Sequence, residues 1–210
     1  MLHHDESDEH LVRRLEAFSD IVIGFSLAEL SLSLTVPNRL SDLLQNSAIG
    51  MIAYAWTFTI ICTLWFMHHR LFARAFVPGK LAIFLNFVWL GTVGLLTYLL
   101  QVYLHFAADP VASRLIYEAY FGLYGLNLAI TAWLYAISLR THNGRYSEEV
   151  VRSVRASTLR LGVAGGVVLI LVAIGPLLSV PWFYAVVAPS ILYGFTLAGF
   201  VTRFARVDDD

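Results

Sequence analysis

Apolar residues run along this chain in six long blocks, separated by short polar connections. The blocks cover approximately residues 15–36, 47–68, 81–105, 117–139, 158–179 and 182–204. A helix needs about 20 apolar residues to cross the hydrocarbon core of a bilayer, so each block is expected to span a membrane. Pro37, Pro78, Pro110 and Pro181 fall at block borders, where proline starts or ends helices. Pro176 and Pro189 lie inside or near the ends of the last two blocks, so kinks are expected there. The predicted fold is all-α and polytopic: one six-helix transmembrane domain over 14–206, an acidic flexible cytoplasmic tail at 1–13, and a short tail at 207–210.

The connections add an orientation. With six spans, Arg13 and Arg14, Arg70, Arg74 and Lys80, Arg140, Arg145, Arg152, Arg155 and Arg160, and Arg203 and Arg206 share one side. Only Arg39 and Arg114 stand on the other. Basic residues gather on the cytoplasmic side of membrane proteins, so both termini are expected in the cytoplasm. An odd number of spans would spoil this separation. The longest connection, "RTHNGRYSEEVVR", holds an Asn143-Gly144 turn signal. Ser147 before Glu148 and Glu149 reads as an N-cap with acids in the first helical turn.

Composition agrees with a membrane protein. Of 210 residues, 58% are hydrophobic and 14% charged, with a mean hydropathy of +0.69; soluble domains average about 25% charged. The net charge of −1 offers no basic surface for nucleic acid. The one cysteine, Cys62, lies in an apolar block and reads as a packing residue. The start, "MLHHDESDEH", lacks the basic and apolar regions of a signal peptide. Its histidines and acids have no repeating ligand spacing, so a solvated tail is expected rather than a metal site. No Ser-His-Asp arrangement, phosphate-cradling glycine loop or Cys/His metal spacing is visible, and no enzyme activity or cofactor is expected.

Ionisable groups inside a span cost about 2.5–3.5 kcal/mol at the bilayer centre on insertion scales. They therefore mark function or a paired structural site. Those present are Asp20 and Glu29 in span one, His68 and His69 closing span two, and Glu118 opening span four. At 100° per residue, Val22, Phe25, Ser26, Glu29, Leu32 and Ser33 fall on one face of span one. That face must meet other helices or water. Either Glu29 is bonded to a neighbouring helix, or span one lines a water-filled path. His68 and His69 point about 100° apart and cannot share an ion from one face. One histidine is expected to turn into the bundle against a carboxylate, with Asp20 as its partner, and the other to lie at the interface. Asn86 and the deeper Asn127 can bond across helices. Gly162-x-x-x-Gly166 can allow close helix packing, within the protomer or between protomers. Thr92–Gly94 matches part of the potassium filter TVGYG, but the apolar helical run continues through it.

These residues resemble a known family. Arg14-x-x-x-Phe18-Ser19-Asp20 is similar to the RxxxFSD signature of the transmembrane protein 175 family of lysosomal and bacterial potassium channels. "WFMHHRLF", containing Trp65, resembles the tryptophan, paired-histidine and Leu-Phe ending of its span two. Leu85-Asn86 and "LYGLNL", which holds Asn127, resemble its third and fourth spans. The resemblance implies a bacterial-type homotetramer of six-span subunits in the inner membrane, without a TVGYG filter. Span one would line the central pore, constricted by layers of large apolar side chains. Arg14, Phe18, Ser19, Asp20, Trp65, His68, His69, Asn86 and Asn127 would form the polar cluster that braces it. The pore layers carried over by motif offset are Phe25, Glu29 and Leu32. Relatives typically carry isoleucine or leucine where this chain has Phe25 and Glu29, and a small threonine where it has Ala28.

The expected function is therefore a cation channel permeable to potassium, with lipid and its own copies as partners. Two alternatives stay open. Glu29 can serve a proton-coupled transporter or proton-permeable channel, or the bundle can be a dry, non-conducting scaffold.

Overall fold

The computed structural model describes residues 2–32, 34, 48–106, 108–141 and 147–174, with side chains from residue 8 onward and, in the second helix, from residue 50. These residues form five α-helices: α1 (Leu2–Leu32), α2 (Ala48–Arg74), α3 (Lys80–His105), α4 (Pro110–Thr141) and α5 (Glu148–Ile174). Four of them are long and apolar enough to cross a membrane, from Gly50, Lys80, Pro110 and Glu148. The apolar part of α1 carries Glu16, Asp20 and Glu29, which sets its composition apart. The expected sixth span, 182–204, lies outside the described residues, as do Ser33 and the end of span five.

Helix ends follow local chemistry. Asp109 caps α4: its Oδ1 accepts the amides of Val111 at 2.9 Å and Ala112 at 3.2 Å, and Pro110 takes the first helical position, which needs no donor. Ser147 caps α5, its Oγ accepting the Val150 amide at 3.4 Å, with Glu148 and Glu149 at the positive end of the helix dipole. The acidic start, expected as a flexible tail, is helical from Leu2. There an i,i+4 ion pair joins Glu9 and Arg13 at 2.7 Å, a spacing that favours helix.

The core sits between α1, α2, α3 and α4, where Ile23, Leu30, Ile61, Leu64, Trp89, Leu96, Phe121 and Leu128 are buried. Helix α5 packs on α4 through glycine. A methyl group at Gly165 would stand 2.8 Å from the Gly125 carbonyl oxygen and 2.9 Å from the Ala129 nitrogen. The expected Gly162-x-x-x-Gly166 contact is therefore shifted in register. Gly166 has nothing within 4 Å, and Gly162 meets only Ala132 at 3.7 Å. Thr92–Gly94 lies in the middle of α3 as ordinary helix.

Candidate functional site

Helix α1 has two unlike faces. Leu15, Ser19, Ile23, Ser26 and Leu30 recur at helical spacing and are buried. Opposite them, Arg14, Phe18, Ile21, Phe25 and Leu32 are exposed, Phe25 by 71% and Leu32 by 84%. Glu29 flanks this outward stripe and is exposed as well. Among the described residues it takes one weak bond: Gln101 Nε2 of α3 donates to Glu29 Oε1 at 3.5 Å. Of the six residues grouped by periodicity, Phe25, Glu29 and Leu32 point out of the protomer. Val22 is half-buried, and Ser26 turns inward, its Oγ donating to the Val22 carbonyl at 3.0 Å. Ile21 joins the outward stripe and was missed, although the Ile21–Phe25–Leu32 spacing carries the signal.

At the other end of the apolar run, a hydrogen-bonded chain ties α1 to α2 and α3. Ser19 Oγ donates to the Leu15 carbonyl at 2.8 Å, leaving its oxygen to accept Asn86 Nδ2 at 3.4 Å. Asn86 therefore presents Oδ1 to His68 Nε2, 2.7 Å away, so the proton of that bond sits on Nε2. The inward histidine thus meets an amide rather than the expected carboxylate. Asp20 instead accepts the Trp65 indole N–H at 2.8 Å. His69, at the surface, pairs through Nδ1 with Glu16 Oε1 at 3.1 Å, so Glu16 adds a further tie between α1 and α2. Packing explains the exchange of partners: α3 places Asn86 where it is fully buried, and a carboxylate there would carry an uncompensated charge.

Trp89 connects this cluster to a second one. Its ring stacks on His68 at 4.5 Å, and His68 stacks in turn on Phe72 at 4.5 Å. Its N–H donates to Thr131 Oγ1 at 3.0 Å, while Thr131 donates to the Asn127 carbonyl at 2.8 Å. Asn127 Oδ1 accepts Thr92 Oγ1 at 3.1 Å. Asn127 thus belongs to a neighbouring tier, coupled to His68 only through Trp89. Sequence reading passed over Trp89 because a tryptophan in an apolar block reads as core. Phe18 contributes an edge contact to Phe87 at 5.9 Å. Arg14 is exposed with no polar partner among the described residues. Glu118, opening span four, pairs with Arg114 at 2.8 Å.

A cavity of about 370 Å³ lies between α2, α3 and α4, lined by Trp56, Thr57, Tyr103, Tyr117, Tyr120 and Phe121 among others. Among the described residues no carboxylate or histidine lines it, and none of the outward stripe of α1 does.

The architecture is that of a helical membrane protein whose first helix turns a mixed apolar and acidic face away from the helices it packs on. Residues 14–96 match the family described as endosomal/lysosomal potassium channel TMEM175. A potassium channel of Marivirga tractuosa is 32% identical over 114 residues, which are 54% of this chain and 42% of that protein. The chain thus matches less than half the length of that curated relative. The crystal structure of a lysosomal potassium-selective channel TMEM175 homologue from Chamaesiphon minutus superposes with a TM-score of 0.62 at 17% identity, covering 90% of this chain and 97% of that chain. A variant of the potassium channel MtTMEM175, solved with a nanobody–MBP fusion, superposes with the same score at 20% identity, covering 93% of each chain. The resemblance drawn from RxxxFSD is thereby shown, and the fold is the TMEM175 fold. The family so matched is one of potassium channels, not enzymes.

Proposed function

We propose that this protein is a potassium-permeable cation channel of the bacterial inner membrane, built from four copies around a central path lined by α1, with both termini in the cytoplasm. The observation that carries this reading is the outward stripe of α1. A protomer alone leaves Phe25, Leu32 and the Glu29 carboxylate facing outward. Hydrocarbon tolerates phenylalanine and leucine but not an ionised glutamate, whereas a shared aqueous axis accommodates all three. Phe25 and Leu32 constrict the path, and Glu29, between them along the helix, sets its potential. Rings of carboxylates attract cations in channels. Glu16, Ser19, Asp20, Trp65, His68, His69 and Asn86 brace the cytoplasmic end.

The test is reversal potential in planar bilayers under potassium, sodium and proton gradients. Preference for potassium supports the reading, and absence of any current overturns it. Strict proton exchange at a low, saturating rate would assign Glu29 to a proton-coupled carrier instead. Glu29→Gln is expected to lower potassium conductance several-fold. Unchanged flux in liposomes would take Glu29 out of the path.

A further inference from the structure

The side of α5 turned away from α4 changes character along its length. Val154, Leu161 and Val168 are buried against α4. On the opposite side, at 100° per residue, fall Arg152, Arg155, Leu159, Val163 and Ile170, with Arg160 at their flank. Leu159, Val163 and Ile170 are each more than half exposed. The three arginines are exposed too and form no ion pair among the described residues. An aliphatic stripe is thus headed by three guanidinium groups with no ion-pair partner among the described residues.

We propose that this face docks an anionic phospholipid. The three arginines hold its phosphate-bearing headgroup, and its acyl chains lie along Leu159, Val163 and Ile170. The dimensions agree. Arg152 and Arg155 are about 4.5 Å apart along the axis and about 60° apart around it, so both reach one headgroup, while Arg160, about 7.5 Å deeper than Arg155 and on the other flank, reaches its edge by snorkelling towards the interface. Guanidinium groups bind phosphate oxygens bidentately. Glu148 and Glu149 stand about one turn farther from the bilayer than Arg152, where the helix dipole holds them. Charge also argues against a second copy as the occupant. Two such faces meeting symmetrically would bring six guanidinium groups together, with only the carboxylates of Glu148 and Glu149, about a turn away, to offset them. The inference requires that this helix end lie at a membrane surface, and it does not require that the protein conduct ions.

Native mass spectrometry of the full chain, titrated with phosphatidylglycerol and separately with phosphatidylcholine, tests it. Wild-type protein is expected to retain phosphatidylglycerol preferentially. Changing Arg152, Arg155 and Arg160 together to Gln should lower that retention by roughly fivefold per arginine removed and leave phosphatidylcholine unchanged. The matching triple change to Lys should keep most of the preference. If the triple Gln protein is not recovered as a folded species, Arg155→Gln alone is expected to show the single-step loss. Equal retention of phosphatidylglycerol by wild type and variant overturns the proposal. So does efficient cross-linking of Leu159→Cys between two copies, which would show a second chain on this face.

Discussion

Ser19, Asn86 and His68 form a chain in which every hydrogen has one direction. Ser19 gives its proton to the backbone, so Asn86 must donate to Ser19 and His68 must donate to Asn86. Each member is buried, and removing one leaves another unsatisfied away from water. Asn86→Ala is accordingly expected to lower stability by about 2–4 kcal/mol, read as an earlier thermal transition in detergent. Ser19→Ala should cost less, because the bond it loses to Asn86 is the longest of the set at 3.4 Å. The sequence showed that "WFMHHRLF" turns one histidine inward and leaves the other at the surface. It could not show which partner each one finds. Periodicity orients a side chain about its own helix axis, but the register between helices is decided by packing, which set Asn86 rather than Asp20 against His68. The Glu16–His69 pair was hidden for the same reason.

Helices as units were more legible than their contacts. The four membrane-length helices coincide with apolar blocks, and the caps at Asp109 and Ser147 obey local rules that need no tertiary information. The close approach of α4 and α5 was foreseen in kind but not in register. "GVAGG" offers three glycines, and only the partner helix determines which one is pressed against backbone. Gly165→Ala would drive a methyl group to 2.8 Å from the Gly125 carbonyl oxygen. It is expected to cost about 1–3 kcal/mol through overpacking. Gly166→Ala, with nothing within 4 Å, should leave the thermal transition unchanged within error. Equal effects of the two changes would contradict this register.

For the whole molecule, the open faces matter most. Protomers assembled through α1 would bring their Leu32 side chains towards one axis. In a Cys62→Ser background, Leu32→Cys is expected to form covalent oligomers with a short bismaleimide cross-linker in membranes. Ile52→Cys, also largely exposed but on α2, should do so far less. Comparable cross-linking at both sites would argue against a central α1. The sequence disclosed this outward face through Phe25, Glu29 and Leu32. It mistook Ser26 for a member because the two faces of α1 meet between adjacent residues.

The bonds that hold α1 also have a mechanical meaning. Among the described residues, the ties from α1 at Glu16, Ser19 and Asp20 lie near the N-terminal end of the apolar run. Beyond them, Ile23 and Leu30 are buried in the core and Glu29 accepts a 3.5 Å bond from Gln101. It is in effect a beam clamped at one end. Leu32 lies about 20 Å along the axis from Ser19, so a rotation of about 5° at the clamp carries Leu32 sideways by about 2 Å, given that rise. In the proposed four-copy assembly, such movements together would double that change across the axis, enough to separate a closed aliphatic ring from one that admits an ion.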